Sequence, residues 1–139
     1  MEQILIGELR KAAAEHFAGC NVLAAYAYGS RVAGNPRPDS DLDVGYYLLP
    51  GSQGLPFREE MLLAAKLTEA LGVGVDLRNL AEAPLELRGA VLEDGVRVFS
   101  SNEELRVDLE ADLLSRYHDY KDVFRRLHEE HLAGIAARS

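Results

Sequence analysis

The chain has no tryptophan and only one cysteine, Cys20, in 139 residues. A single thiol cannot close an intrachain disulfide, which removes the usual staple of a small secreted domain. Cys20 itself reads as a small buried residue ahead of a strand rather than a catalytic thiol. Long apolar runs are also missing, so no segment is expected to span a membrane. The N-terminus carries Glu2, Glu8 and Arg10 with no apolar stretch of the kind a signal peptide needs. A cytoplasmic protein with no membrane partner is expected. Positive charge is scarce as well: 15 basic residues against 23 acidic ones give a formal net charge of -8. Direct binding of long nucleic acid, which relies on Lys and Arg excess, is therefore not expected. A nucleotide needs only a local positive pocket and a metal, and stays compatible with this balance.

What is present is the composition of an ordinary folded domain, 47% hydrophobic and 27% charged. The length suits one domain with a core of its own. Residues 2–18 place Leu5, Leu9, Ala12, His16 and Phe17 at helical spacing. Residues 22–28, VLAAYAY, are apolar at both parities, as in a central strand covered on both faces. Gly29-Ser30 ends that run, and Gly34 to Ser40 is dense in turn formers. A second strand follows from Asp41 to Leu49. A helix over Phe57 to Leu71 should bury Met61, Leu62, Ala65 and Leu67, with Gly72 ending it. Val73 to Leu80 reads as a third strand, Pro84 to Asp94 as a short helix, and Val96 to Phe99 as a last strand. Ser101 and Glu104 have capping-box spacing and should open a helix reaching about His131. Its stripe, Leu105, Leu109, Leu113, Tyr117, Tyr120, Phe124 and Leu127, is expected to be mostly core, with part of the helix left to meet a partner. The succession predicts an α/β or α+β single domain over 1–139, with a core over about 1–100 and a terminal helix over about 101–135.

The chemistry lies in Gly29-Ser30, ten residues, then Asp41-Leu42-Asp43. Alternate strand residues share a face, so Asp41 and Asp43 point together while Leu42 and Val44 face the other way. In the third strand Val73, Val75 and Leu77 form one face, and Asp76 lies on the other beside Gly74. Two neighbouring strands could thus present three carboxylates to one spot. Such a cluster repels itself unless a cation sits within it. Mg²⁺ favours oxygen ligands completed by substrate phosphates, and a pair of metals can clamp both ends of a displacement at phosphorus. Gly29 lets the backbone approach a phosphate, Ser30 adds a hydroxyl, and Arg31 and Arg37 are the nearest cations. Each motif alone is commonplace; their order and spacing together point to a site, because Asp is seldom buried without a partner.

At these residues the sequence resembles the nucleotidyltransferase superfamily, whose signature is GS, ten residues, D-x-D and a third carboxylate on a later strand. More narrowly it resembles the minimal nucleotidyltransferases, the MntA-type antitoxins paired with HEPN ribonuclease toxins. Ala83-Pro84, the run Val91-Leu92-Glu93-Asp94-Gly95, and Arg116 through Lys121 extend that resemblance over most of the chain. It implies Mg²⁺-dependent transfer of AMP from ATP to a tyrosine hydroxyl of the toxin, which silences it. By position it implies that Gly29 and Ser30 hold the triphosphate and that Asp41 and Asp43 bind both metals. Asp76 would complete the metal site and help deprotonate the hydroxyl. The chain departs from many relatives in having Val32-Ala33-Gly34 where they carry a second arginine, a place Arg37 could fill. Two alternatives stay open: transfer to a small-molecule acceptor, and neutralisation of a toxin by binding alone.

Overall fold

A computed structural model of the chain describes residues 2–29 and 41–138. Ser30, Arg31, Arg37 and the loop expected at 34–40 lie outside the described residues. The elements are α1 (Glu2–His16), β1 (Val22–Tyr28), β2 (Leu42–Leu48), α2 (Phe57–Leu71), β3 (Val75–Asn79), a 3-10 turn (Leu80–Glu82), α3 (Leu85–Asp94), β4 (Val96–Ser100) and α4 (Glu103–Arg138). The order is the expected one and the fold is mixed α/β. No helix among the described residues is long and apolar enough to cross a membrane.

The strands form one mixed sheet in the order β3-β2-β1-β4. β1 pairs antiparallel with β2 and β4, whereas β2 and β3 run parallel. A parallel pair needs a long crossover, and α2 supplies it. β1 is buried from Val22 to Ala27 at both parities, because helices cover both faces of the sheet. Leu9, Phe17, Leu42, Val44, Leu67 and Leu77 fill the layer shared with α1 and α2. Leu23, Tyr26, Tyr47, Leu80, Val91 and Leu113 fill the layer shared with α3 and α4.

Several helical details differ from expectation. In α2 the buried row is Leu63, Leu67 and Leu71, while Met61 and Leu62 are 54% and 53% exposed and Ala65 is exposed as well. Apolar residues occur on several sides of this helix, and packing against α1 and β3 selects the row spaced by four. The start of α4 is capped by Asn102, whose Oδ1 accepts from the Leu105 N–H at 3.0 Å. Ser101 is not the cap: its N–H donates to the Leu23 carbonyl and its hydroxyl to that of Val22. The stripe of α4 is core only in its first half. Leu113 is buried and Leu105, Leu109, Tyr117 and Tyr120 are half-buried, but Phe124 and Leu127 are 58% and 60% exposed. Beyond Tyr120 the helix leaves the body, and it continues past the expected end near His131 to Arg138. Lys121 pairs with Glu93 on α3 at 3.4 Å.

A polar connection ties α4 to the sheet. The Tyr26 hydroxyl donates to Glu110 Oε1 at 2.7 Å, and Arg106 Nη1 donates to Glu110 Oε2 at 2.8 Å. Arg106, 6% exposed, also bonds Glu103. A buried guanidinium is retained because two carboxylates meet it.

Candidate active site

The carboxylates gather where β2 and β3 begin and β1 ends. The parallel register sets Asp43 beside Asp76 and Leu42 beside Val75. The antiparallel register sets Tyr28 beside Asp43. Tyr28, Asp43 and Asp76 thus form one row across three strands, on the face opposite to the buried Leu42, Val44, Val75 and Leu77. Asp41 precedes β2 by one residue, and the Leu42 N–H donates to the Gly74 carbonyl at 2.8 Å, which holds Asp41 next to Gly74.

Two glycines make room for these acids. Gly29 sits at φ +89°, a left-handed conformation that other residues seldom adopt, and a β-carbon there would overlap Asp43 Oδ2. A β-carbon at Gly74 would overlap Asp41 Oδ1. The group that comes close to Gly29 here is a carboxylate of the chain itself.

The electrostatics follow from this crowding. Burial pushes the Asp43 carboxyl above its usual value, and the charges of Asp76 and Asp41 push it further, with Arg78 acting against them. The Tyr28 phenol is raised by burial and by the Asp43 charge, while Arg78 opposes the rise through its charge and a hydrogen bond to the phenol. Among the described residues no three His, Cys, Asp or Glu side chains converge tightly enough to cage a metal unaided. The donor set nevertheless fits a hard divalent cation: oxygen ligands only, with repulsion that such a cation relieves.

A cavity of about 290 Å³ opens beside Tyr28 and Gly29 against Leu87, Ala90, Val91 and Asp94 of α3. A larger hollow of about 650 Å³ lies at the far ends of β2 and β3, around Tyr47, Leu49, Pro50 and Asn79, and contains none of the three carboxylates. Chemistry rather than volume locates the site, since the larger hollow is lined by neither the clustered carboxylates of β2 and β3 nor the turn at Gly29.

Asp41, Asp43, Asp76 and Gly29 thus meet at one place. Ser30, Arg31 and Arg37 lie outside the described residues. Sequence reasoning missed Tyr28 and Arg78. Period-two alternation could have found Arg78, which stands two residues beyond Asp76 on the same strand face. His118, His128 and His131 are exposed on α4.

The model of the family described as "Polymerase beta, Nucleotidyltransferase" matches residues 9–104, from α1 through the sheet to the start of α4. The chain belongs to the polymerase beta nucleotidyltransferase family. It is a nucleotidyltransferase by family and by fold. No curated protein matches the chain in sequence. Among solved structures of the same fold, a toxin–antitoxin with AMP-PNP is 20% identical, with a TM-score of 0.67 over 91% of this chain and 98% of that one. The structure of a tri-AMPylated HEPN toxin from Shewanella oneidensis in complex with its MNT antitoxin gives 19% identity and a TM-score of 0.64, over 95% and 99%. A MntA–HepT toxin–antitoxin gives 16% and 0.60, over 96% and 97%. Identities this low establish a shared nucleotidyltransferase fold.

Proposed function

We propose that this nucleotidyltransferase is a minimal, MntA-type antitoxin that transfers AMP from ATP to a tyrosine hydroxyl of a HEPN ribonuclease toxin and thereby neutralises it. The observation that carries the reading is the row of Asp43 and Asp76, with Asp41 at its edge and Gly29 folded against it. Three converging carboxylates serve no purpose in a protein that only binds. The neighbouring folds lend support, since one includes an AMPylated HEPN toxin and another an ATP analogue.

In this reading Asp41 and Asp43 hold Mg²⁺, as a pair of ions, and Asp76 completes the site. The metal supplies charge neutralisation for the triphosphate and for the leaving pyrophosphate. Gly29 and Ser30 cradle phosphate oxygens, with Arg31 and Arg37 as nearby cations. The acceptor oxygen forms a bond to the α-phosphorus as the bond from that phosphorus to the bridging oxygen breaks. Pyrophosphate departs with those electrons, and Asp76 helps to remove the hydroxyl proton. The charge of Arg78 acts on Asp43 against the raising effect of its acidic neighbours and so limits the repulsion within the row.

The test is intact-mass spectrometry of the protein encoded next to this one, after incubation with the chain, ATP and Mg²⁺. A gain of one or more AMP units, lost with EDTA, is expected. No gain with a stable complex would favour neutralisation by binding, and no gain without a complex would favour small-molecule acceptors.

A further inference from the structure

The hollow of about 650 Å³ at the far ends of β2 and β3 is walled on one side by Leu105, Asp108, Leu109 and Asp112, one face of the first half of α4. Leu23 and Tyr47 give it an apolar floor, and Glu82 stands at its edge. That face of α4 does not stop where the hollow stops. Alternate steps of four and three residues carry it from Leu109 through Asp112, Arg116 and Asp119 to Val123 and Arg126, with Leu127 alongside. It is a second stripe, separate from the one that packs on the body through Leu113 and Tyr117. Val123 and Leu127 are 46% and 60% exposed. Asp108 and Arg126 lie on the same flank of the stripe, and neither forms an ion pair among the described residues.

The chemistry of this stripe reads alike in both directions from Arg116. Asp112 and Asp119 flank it, Leu109 and Val123 lie seven residues to either side, and Leu105 and Leu127 lie eleven. All helices rise equally per residue, so two antiparallel copies of α4 bring together positions whose numbers have a constant sum. A two-fold axis at Arg116 sets Leu105 against Leu127 of a second copy and Leu109 against its Val123. Apolar side chains then fill the apolar hollow. Arg116, which already bonds Asp112 of its own helix at 3.1 Å, falls between two acids of the facing helix, and Asp108 meets Arg126 at the flank. We propose that α4 pairs antiparallel with α4 of a second copy, the exposed end of each chain filling the hollow of the other. An interface of this kind is isologous and closes as a dimer. It runs along about 33 Å of helix. A net charge of -8 opposes contact between copies wherever opposite charges are not matched, and this stripe is where they match. The carboxylates lie at the opposite ends of β2 and β3 and stay open, and Phe124 and Leu132 project from other sides of the helix. Association is reversible, and below its dissociation constant each copy rests on its own core. The inference stands apart from the nucleotidyl-transfer reading.

Sedimentation equilibrium of the full chain, from about 1 μM to about 1 mM, tests it. The parent should pass from monomer to dimer within that range. Asp108→Arg or Arg126→Glu should weaken the dimer at least about 10-fold, because each reversal puts like charges together at two symmetric places. The double variant should dimerise about as the parent does, and an equimolar mixture of the two single variants should form a mixed dimer. Both positions are exposed, so circular dichroism should show every chain folded. A parent that is still monomeric at about 1 mM overturns the proposal. So does a dimer that neither reversal weakens, which would pair through another face. A double variant no stronger than the single ones overturns it as well, since the two charges would then never meet.

Discussion

Asp43 and Asp76 stand side by side on neighbouring parallel strands, and the charge of Asp76 raises the cost of ionising Asp43. Metal binding is the natural relief of that repulsion. Replacing both Asp41 and Asp43 by Asn should reduce AMP transfer by at least about 10³-fold, the scale expected when metal stabilisation worth several kcal/mol is removed. Complex formation with the partner should persist, since neither residue belongs to the core. A double variant that labels the partner at the parent rate would remove these residues from the chemistry.

The same pair sets a pH dependence. The Asp43 carboxyl is raised in the folded chain, so the folded state holds its proton more tightly than the unfolded one. Its contribution to stability is therefore fully present below the ordinary carboxylate value and is lost as pH rises through the raised value. Above that raised value the metal-free chain carries the ionised, repelled form. Asp43→Asn should raise the metal-free melting temperature by about 1–2 °C, the effect of a few tenths of a kcal/mol in a domain of this size. It should also blunt the stabilisation that Mg²⁺ gives the parent. Scanning calorimetry at pH 7 with Mg²⁺ and with EDTA checks both; a lower melting point for the variant in EDTA would refute the repulsion.

On the same face of the sheet, under α4, Glu110 bridges Tyr26 and Arg106. Glu110→Ala leaves a phenol and a 6%-exposed guanidinium short of a partner. The expected loss is about 2–4 kcal/mol in urea unfolding, because an uncompensated buried charge costs more than the pair ever supplied. Tyr26→Phe should cost only about 1 kcal/mol. Similar values for the two substitutions would show that Arg106 is satisfied by Glu103 alone.

The features of this molecule that were legible in the sequence are those fixed by strand geometry. Alternation alone puts Asp41 and Asp43 opposite Leu42 and Val44, and the register then joins them to Asp76. Helix faces were harder. Met61 and Leu62 are as apolar as Leu63 and Leu67, so composition offered α2 two stripes and only tertiary contacts chose between them. Ser101 and Asn102 are both able caps, and the choice fell to Asn102 because Ser101 is still hydrogen-bonded to β1. Arg78 escaped because it finds Tyr28 across a pairing of distant segments, which a motif written along one strand does not contain.

Gly89 offers a packing test. It is buried in α3, and a β-carbon there would overlap the ring of Tyr117 on α4. Gly89→Ala gains helix propensity of about 1 kcal/mol but must push α3 away from α4, whose approach is set by that ring. The net expectation is a destabilisation of about 1–3 kcal/mol, relieved when Tyr117→Ala is added. Chemical denaturation of the two single variants and the double one decides the matter. Additive losses would show that the ring does not limit the approach.

The last prediction concerns the free end of α4. From Lys121 to Ala137 the helix is exposed at every position but Gly134, and Phe124, Leu127 and Ile135 show 58%, 60% and 50% of their surfaces. Apolar groups this exposed contribute little to the chain's own stability, because the area they remove from water is small. Tyr120, bonded to Glu86, and Lys121, paired with Glu93, mark the last contacts with α3. A chain ending after Lys121 should therefore melt within about 3 °C of the parent, a difference of at most about 1 kcal/mol. If this stretch meets the toxin, the shortened chain should still bind ATP with Mg²⁺ but fail to co-purify with the partner or to add AMP to it. Retention of both by the shortened chain would place the docking surface on the sheet-bearing body, and a collapse of the melting temperature would mean that the exposed turns of α4 stabilise the fold itself.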